Sequence, residues 1–190
     1  MKNLQKTIPT AMLTAVATVL FFFSFPLLPS SPNLKMDFSD IPAIIGGVLI
    51  NPLAGVIIQL FKNFIYFITK GISSNMGFGN LMNFLVGTAF VLPFAIIVRK
   101  LGNSPKGFIV AALSGTAAML AVGFFANYIV TPLYFKAFLA KEIGQEAVLA
   151  AAVSSTVFNA IKAAIIVIIS AFMMKYAIPP LKKIVDKGAK

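Results

Sequence analysis

Seven polar residues set in apolar surroundings are the ones whose types and spacing could do chemistry: Asp37, Asp40, Lys62, Asn63, Asn127, Asn159 and Lys162. A lysine offers a cation with three donors, and an asparagine offers donors and an acceptor together. Such a set matches a polar heterocycle with alternating carbonyl and ring N–H groups, whose flat faces suit aliphatic and aromatic walls. Asn159 and Lys162 are three residues apart and share a helix face. A second use is open to them: Lys162 can pair with Asp40 or Glu146 and tie helices together. Lys62-Asn63 can line the floor of a pocket or gate it, or snorkel or pair with a helix-end carbonyl. Asp37 and Asp40 stand in the short polar stretch LKMDFSDIP (Leu34 to Pro42), and Ser39 or Asp40 can cap the helix that follows. There is no Cys and no His. Thiolate nucleophiles, disulfides, the usual zinc ligands and the commonest general base are therefore missing. No Walker-type phosphate loop is present, and no catalytic constellation emerges, so an enzyme is not expected.

These residues must be positioned by membrane helices. Of 190 residues 59% are hydrophobic and 11% charged, and the mean hydropathy is +0.94. That is far more apolar than a soluble domain. The apolar runs predict an all-α integral membrane protein with a single domain over residues 1–190 and six spans, at about 8–28, 41–50, 53–69, 81–98, 107–130 and 147–176. The first run is longer than a signal-peptide core and lacks its cleavage pattern, which makes it an uncleaved helix. Pro26, Pro29 and Pro32 end it. Asn51-Pro52 divides the next region into a short helix and a full one. Thr131-Pro132 stops the fifth span ahead of a mixed connector, 133–145.

The net charge of +11 does not point to nucleic acid, because the basic residues sit at the ends of apolar runs and not in one patch. With the N-terminus in the cytoplasm, the cytoplasmic side carries Lys2, Lys6, Arg99, Lys100, Lys106, Lys175, Lys182, Lys183, Lys187 and Lys190. The outer side carries Lys35, Lys70, Lys136 and Lys141. Ten against four favours cytoplasmic N- and C-termini. Counted upward at 1.5 Å per residue, Lys162 lies about 20 Å, Asn159 about 24 Å and Asn127 about 31 Å from that side. Asp37 and Asp40 then form the rim of an outward-facing pocket above them. Ala11-x-x-x-Ala15 on the first helix, and Gly107, Ala111, Gly115 and Gly123 on the fifth, are small-residue faces suited either to internal packing or to a partner helix.

Six short spans ending in a basic tail resemble the substrate-binding (S) component of energy-coupling factor (ECF) transporters. LKMDFSDIP followed by Lys62-Asn63 is similar to the riboflavin-specific member. The likeness covers essentially the whole chain. It implies that Asn127, Asn159 and Lys162 bind the isoalloxazine ring and that Asp37, Asp40, Lys62 and Asn63 belong to the binding region. It further implies that Ala11 and Ala15 dock on a transmembrane coupling subunit. Riboflavin would be transported cargo and not a cofactor, captured outside a bacterial cell membrane and released inside with the help of that subunit and two ABC ATPases. The competing expectations are an S component for another vitamin (thiamine, biotin, folate or similar), an integral membrane enzyme acting on lipids, and a scaffold.

Overall fold

The computed structural model describes residues 4–27, 34–71, 77–102 and 104–181. Six helices dominate it: α1 (Leu4–Phe22), α2 (Asp40–Leu49), α3 (Pro52–Tyr66), α4 (Phe78–Leu101), α5 (Pro105–Leu139) and α6 (Gln145–Phe172). Single π-helical turns follow α3 (Phe67–Gly71) and α6 (Met173–Ala177). Among the described residues five helices, α3 counted together with its π-turn as far as Lys70, are long and apolar enough to cross a membrane. The exception is α2, whose 10 residues reach only about 15 Å.

Several boundaries differ from those expected. The first helix ends at Phe22 and not Leu28, because Pro26 forces Phe25 toward extended backbone. Phe25–Pro26 (β1) and Lys35–Met36 (β2) then pair antiparallel as a small ladder that the all-helical reading lacked. Pro29 and Pro32, and much of the basic tail, lie outside the described residues. The third helix gives way to its π-turn at Phe67, and α4 extends beyond 81–98 at both ends. Pro132 does not stop the fifth span. Instead α5 runs on to Leu139, as membrane helices can when neighbouring groups tolerate the lost bond. It ends at Ala140, a left-handed residue with φ 49° whose N–H bonds to Phe135 O. The connector shrinks to 140–144. The last helix starts at Gln145, with Met173–Ala177 wound more loosely.

The local rules are visible at each joint. Asn51 accepts a hydrogen bond from Ala54 N at 2.8 Å, and Pro52 takes the first helical position of α3, where its missing donor costs nothing. Ser104 caps α5 in the same way through Gly107 N. On α1, Thr14, Ala17, Thr18 and Phe21 form the buried stripe. The two threonine hydroxyls donate to the carbonyls one turn back, Thr10 O and Thr14 O, both at 2.8 Å, so they need no other partner in an apolar setting.

Phe90, Val91, Phe94 and Ala95 of α4 are fully buried and form the centre of the core. Around them α2, α3 and α5 close in. Gly55 permits the tight crossing of α2, α3 and α4: a Cβ there would meet Val91 Cγ1 at 2.7 Å and Ala43 O at 2.9 Å. The ridge of Gly107, Ala111, Gly115 and Gly123 is buried against the bundle, so it serves internal packing. Large apolar side chains such as Met12, Val16, Leu53, Phe61, Leu113 and Ile129 face outward, as a surface solvated by lipid tails requires. The two ends of the bundle differ in charge. One carries Lys6, Arg99, Lys100, Lys106 and Lys175, with Arg99 donating to Val48 O at 2.7 Å. The other carries Lys35, Lys70, Lys136 and Lys141 together with Glu142 and Glu146.

Candidate functional site

LKMDFSDIP folds inward between the α1 end and α2. Asp37, Ser39 and Asp40 are all buried, with at most 1% exposure. The carboxylates are therefore not a rim. Two lysines meet them inside the protein. Lys162 Nζ of α6 lies 3.2 Å from Asp37 Oδ2 and 2.9 Å from Asp40 Oδ2. Lys62 Nζ of α3 lies 2.6 Å from Asp40 Oδ1 and donates to Ser39 Oγ, also at 2.6 Å. Ser39 in turn donates to Asp37 Oδ1 through its N–H (2.9 Å) and its hydroxyl. Gln59 Nε2 donates to Asp40 Oδ1 at 2.8 Å, and Asn83 Nδ2 to Asp37 Oδ2 at 3.3 Å. Asn63 Nδ2 donates to Asn83 Oδ1 at 3.3 Å and to Gln59 O.

This is a charge-balanced network of two carboxylates and two ammonium groups joining the loop to α3, α4 and α6. Isolated buried charges would be untenable, whereas paired and hydrogen-bonded ones can persist. The tie between Lys162 and Asp40 is thus present, and Asp37 shares it; Glu146 has no part in it. Lys62 neither snorkels nor binds a helix-end carbonyl; it is paired with Asp40, with its Nζ 5.5 Å from the centre of the Phe21 ring. Ser39 stands at the N-cap of α2 but its side chain makes no capping bond. Asp40, in the first helical turn, faces a positive helix end.

Beside the network lies a chamber of about 130 Å³, lined by Asn83 of α4, Asn127 of α5 and Ser155, Asn159 and Lys162 of α6, with Leu34 and Lys35 of the loop segment. The three residues placed at one depth by helical counting do meet. Asn127 donates through Nδ2 to Ser155 Oγ and Gly123 O, each at 2.8 Å. That leaves its carbonyl oxygen as an acceptor. Among the described residues Asn159 makes one long side-chain bond, to Ser155 Oγ at 3.4 Å, and so retains donor and acceptor capacity toward them. Lys162 donates to Asp37 Oδ2, is ion-paired with Asp40 Oδ2, and lines the chamber as well. Gly123 makes the arrangement possible, since a Cβ there would lie 2.4 Å from Asn159 Nδ2. An acceptor, a mixed amide and a cation converging from two helices can read the edge of a heterocycle.

Asp37, Asp40 and Lys62 do not line this chamber; they stand behind Lys162. Asn63 faces a different cavity. Ala11 and Ala15 are exposed on α1 and line a groove of about 500 Å³ between α1 and α3. Gln59, Asn83 and Ser155 were not anticipated. A signal existed for two of them: Gln59 precedes Lys62 by three residues, and Ser155, Asn159 and Lys162 follow a helical stripe.

Residues 5–174 match the family model described as "ECF transporter, substrate-specific component". The riboflavin transporter FmnP of Bacillus subtilis (strain 168) is 37% identical over 170 residues, 88% of each chain. The riboflavin transporter RibU of Staphylococcus aureus (strain TCH60) is 31% identical over 185 residues, covering 97% of this chain and 96% of that one. A solved structure described as the S component of a bacterial ECF transporter superposes with a TM-score of 0.70 at 29% identity, across 96% of this chain and 99% of the other.

Proposed function

The chain belongs to the substrate-specific components of ECF transporters, and from that membership we propose that it is a riboflavin-binding S subunit, a multi-pass protein of the bacterial plasma membrane. It captures riboflavin at the outer face and delivers it inward together with a transmembrane coupling subunit and two ABC ATPases. Riboflavin is cargo and not a cofactor, and the subunit performs no catalysis of its own. The whole chain acts as one membrane domain with both termini in the cytoplasm, the more basic end of the bundle facing inward.

The observation that carries this reading is the convergence of Asn127, Asn159 and Lys162 on one chamber. Their donors and acceptors complement the alternating carbonyl and N–H groups along the pyrimidine edge of the flavin. Asp37 and Asp40 contribute by fixing Lys162, Lys62 by fixing the loop that carries the aspartates, and Asn63 by holding Asn83, which in turn donates to Asp37. Ala11 and Ala15 present a smooth strip beside an open groove, which suits close approach of a coupling-subunit helix.

Purification in detergent from a riboflavin-fed host tests the proposal. The protein should carry a yellow, fluorescent chromophore, and added riboflavin should raise its melting temperature. A colourless protein that riboflavin does not stabilise overturns it, and a panel of other vitamins would then find the cargo.

A further inference from the structure

At the more basic end of the bundle, the start of α5 and the end of α6 lie side by side. Between them runs a groove of about 580 Å³. Phe108, Ile109, Ala171 and Met174 give it an apolar wall, while Ser104 and Lys175 supply a hydroxyl and an ammonium. The Ser104 Oγ accepts from Gly107 N and keeps its own proton to donate. Lys175 stands 5.1 Å from the centre of the Tyr176 ring, and that ring stacks on Phe172. Both rings are exposed. An exposed tyrosine beside a lysine at a helix end marks the membrane–water boundary. Ala171 and Ile109 lie about one helical turn farther into the bilayer than Lys175 and Ser104. The groove is therefore polar at the depth of headgroups and apolar where acyl chains begin. Lys100 and Lys106 are exposed in the adjoining turns of α4 and α5. Among the described residues this end holds no carboxylate: Asp37 and Asp40 are in the buried network, and Glu142 and Glu146 are at the other end.

We propose that this groove binds an anionic phospholipid, with one acyl chain along Phe108, Ile109, Ala171 and Met174 and the phosphate between Lys175 and the Ser104 hydroxyl. Basic pockets between membrane helices suit such headgroups. Charge complementarity selects the lipid, because a zwitterionic headgroup brings no net charge to set against the lysines. The apolar wall selects a lipid over a soluble anion: the cations are exposed and hold a free phosphate weakly, whereas a chain laid in the groove adds buried apolar area. The site is independent of the cargo. It is also separate from Ala11 and Ala15, since α1 packs on α2 and α3 while the groove belongs to α5 and α6. A lipid seated there ties the start of α5 to the end of α6 without covering the α1 face.

Native mass spectrometry tests this on the full-length protein, purified in detergent and incubated with equal amounts of dioleoylphosphatidylglycerol and dioleoylphosphatidylcholine. The wild type should retain the anionic lipid in preference, by roughly fivefold for each lysine that meets the phosphate. Lys106→Gln with Lys175→Gln should bring the preference close to unity. Ala171→Trp fills the groove and should reduce retention of the anionic lipid with every lysine in place. Lys136→Gln with Lys141→Gln removes the same charge from the opposite end and should leave the preference intact. All five positions are exposed, so the fold tolerates these changes. Glycerol phosphate carries the anion without the chains and should not displace the lipid. A wild type without preference overturns the proposal, as does an equal loss in the Lys136 and Lys141 variant, which would make the effect one of net charge. Displacement by glycerol phosphate overturns it too, and would make the site one for soluble anions.

Discussion

Lys162 is the residue on which the proposed binding role and the stability of the bundle meet. Its ammonium is held by Asp37 and Asp40 at 3.2 and 2.9 Å, and its side chain also lines the proposed ligand chamber. Replacing Lys162 or Asn159 by Ala should lower riboflavin affinity at least about tenfold, the worth of one well-made hydrogen bond to a buried or charged group. Fluorescence titration checks this, and unchanged affinity in both variants would leave Lys162 as a tie between helices. Lys62 makes a different prediction. Lys62→Met leaves Asp40 under-compensated inside the bundle and should cost about 3–5 kcal/mol, visible as a lower melting temperature in detergent. Adding Asp40→Asn should restore much of that loss, because it removes the stranded charge. No recovery in the double variant would mean that Lys62 contributes through packing alone. The sequence made these residues conspicuous because lysine and asparagine are costly within apolar runs. It did not reveal who partners whom: Asp40 is 22 residues from Lys62, and Asp37 is 125 from Lys162. Loop carboxylates look like a rim until the loop is seen to fold inward.

At the scale of elements, the spans were legible and their ends were not. Apolar length and turn residues locate each helix, and Asn51-Pro52 marks the α2–α3 joint as it stands. Pro132 misled because a proline inside a membrane helix is judged by rules from water, where the freed carbonyl has better alternatives. The π-turns at Phe67–Gly71 and Met173–Ala177 leave no distinct mark on hydropathy. The first helix shows a division of labour: Thr14, Ala17, Thr18 and Phe21 face the core, while Ala11 and Ala15 remain outside. Ala11→Leu with Ala15→Leu should therefore leave riboflavin binding by the isolated subunit intact and abolish uptake in cells that supply the coupling module. Loss of binding in that variant would instead assign the pair to internal packing.

For the whole molecule, the asymmetry of charge between the two ends makes a topological prediction. The chain has no cysteine, so single cysteines can be introduced as reporters. Lys106→Cys should react with a membrane-impermeant maleimide only after permeabilisation, and Lys141→Cys should react in intact cells. The reverse pattern would invert the orientation. The structure also places the polar network one end of α2 away from the Asn51 turn, about 15 Å in projection, so the site lies deep in the bundle. There it contains two carboxylates and two ammonium groups, and its proposed cargo is uncharged. A single unpaired charge displaced through a membrane potential of 100 mV would gain or lose about 2.3 kcal/mol. For this site the sum is zero. With the site's carboxylates ionised and its lysines protonated, an uncharged vitamin adds nothing to that sum, and its arrival leaves the net charge of the site unchanged.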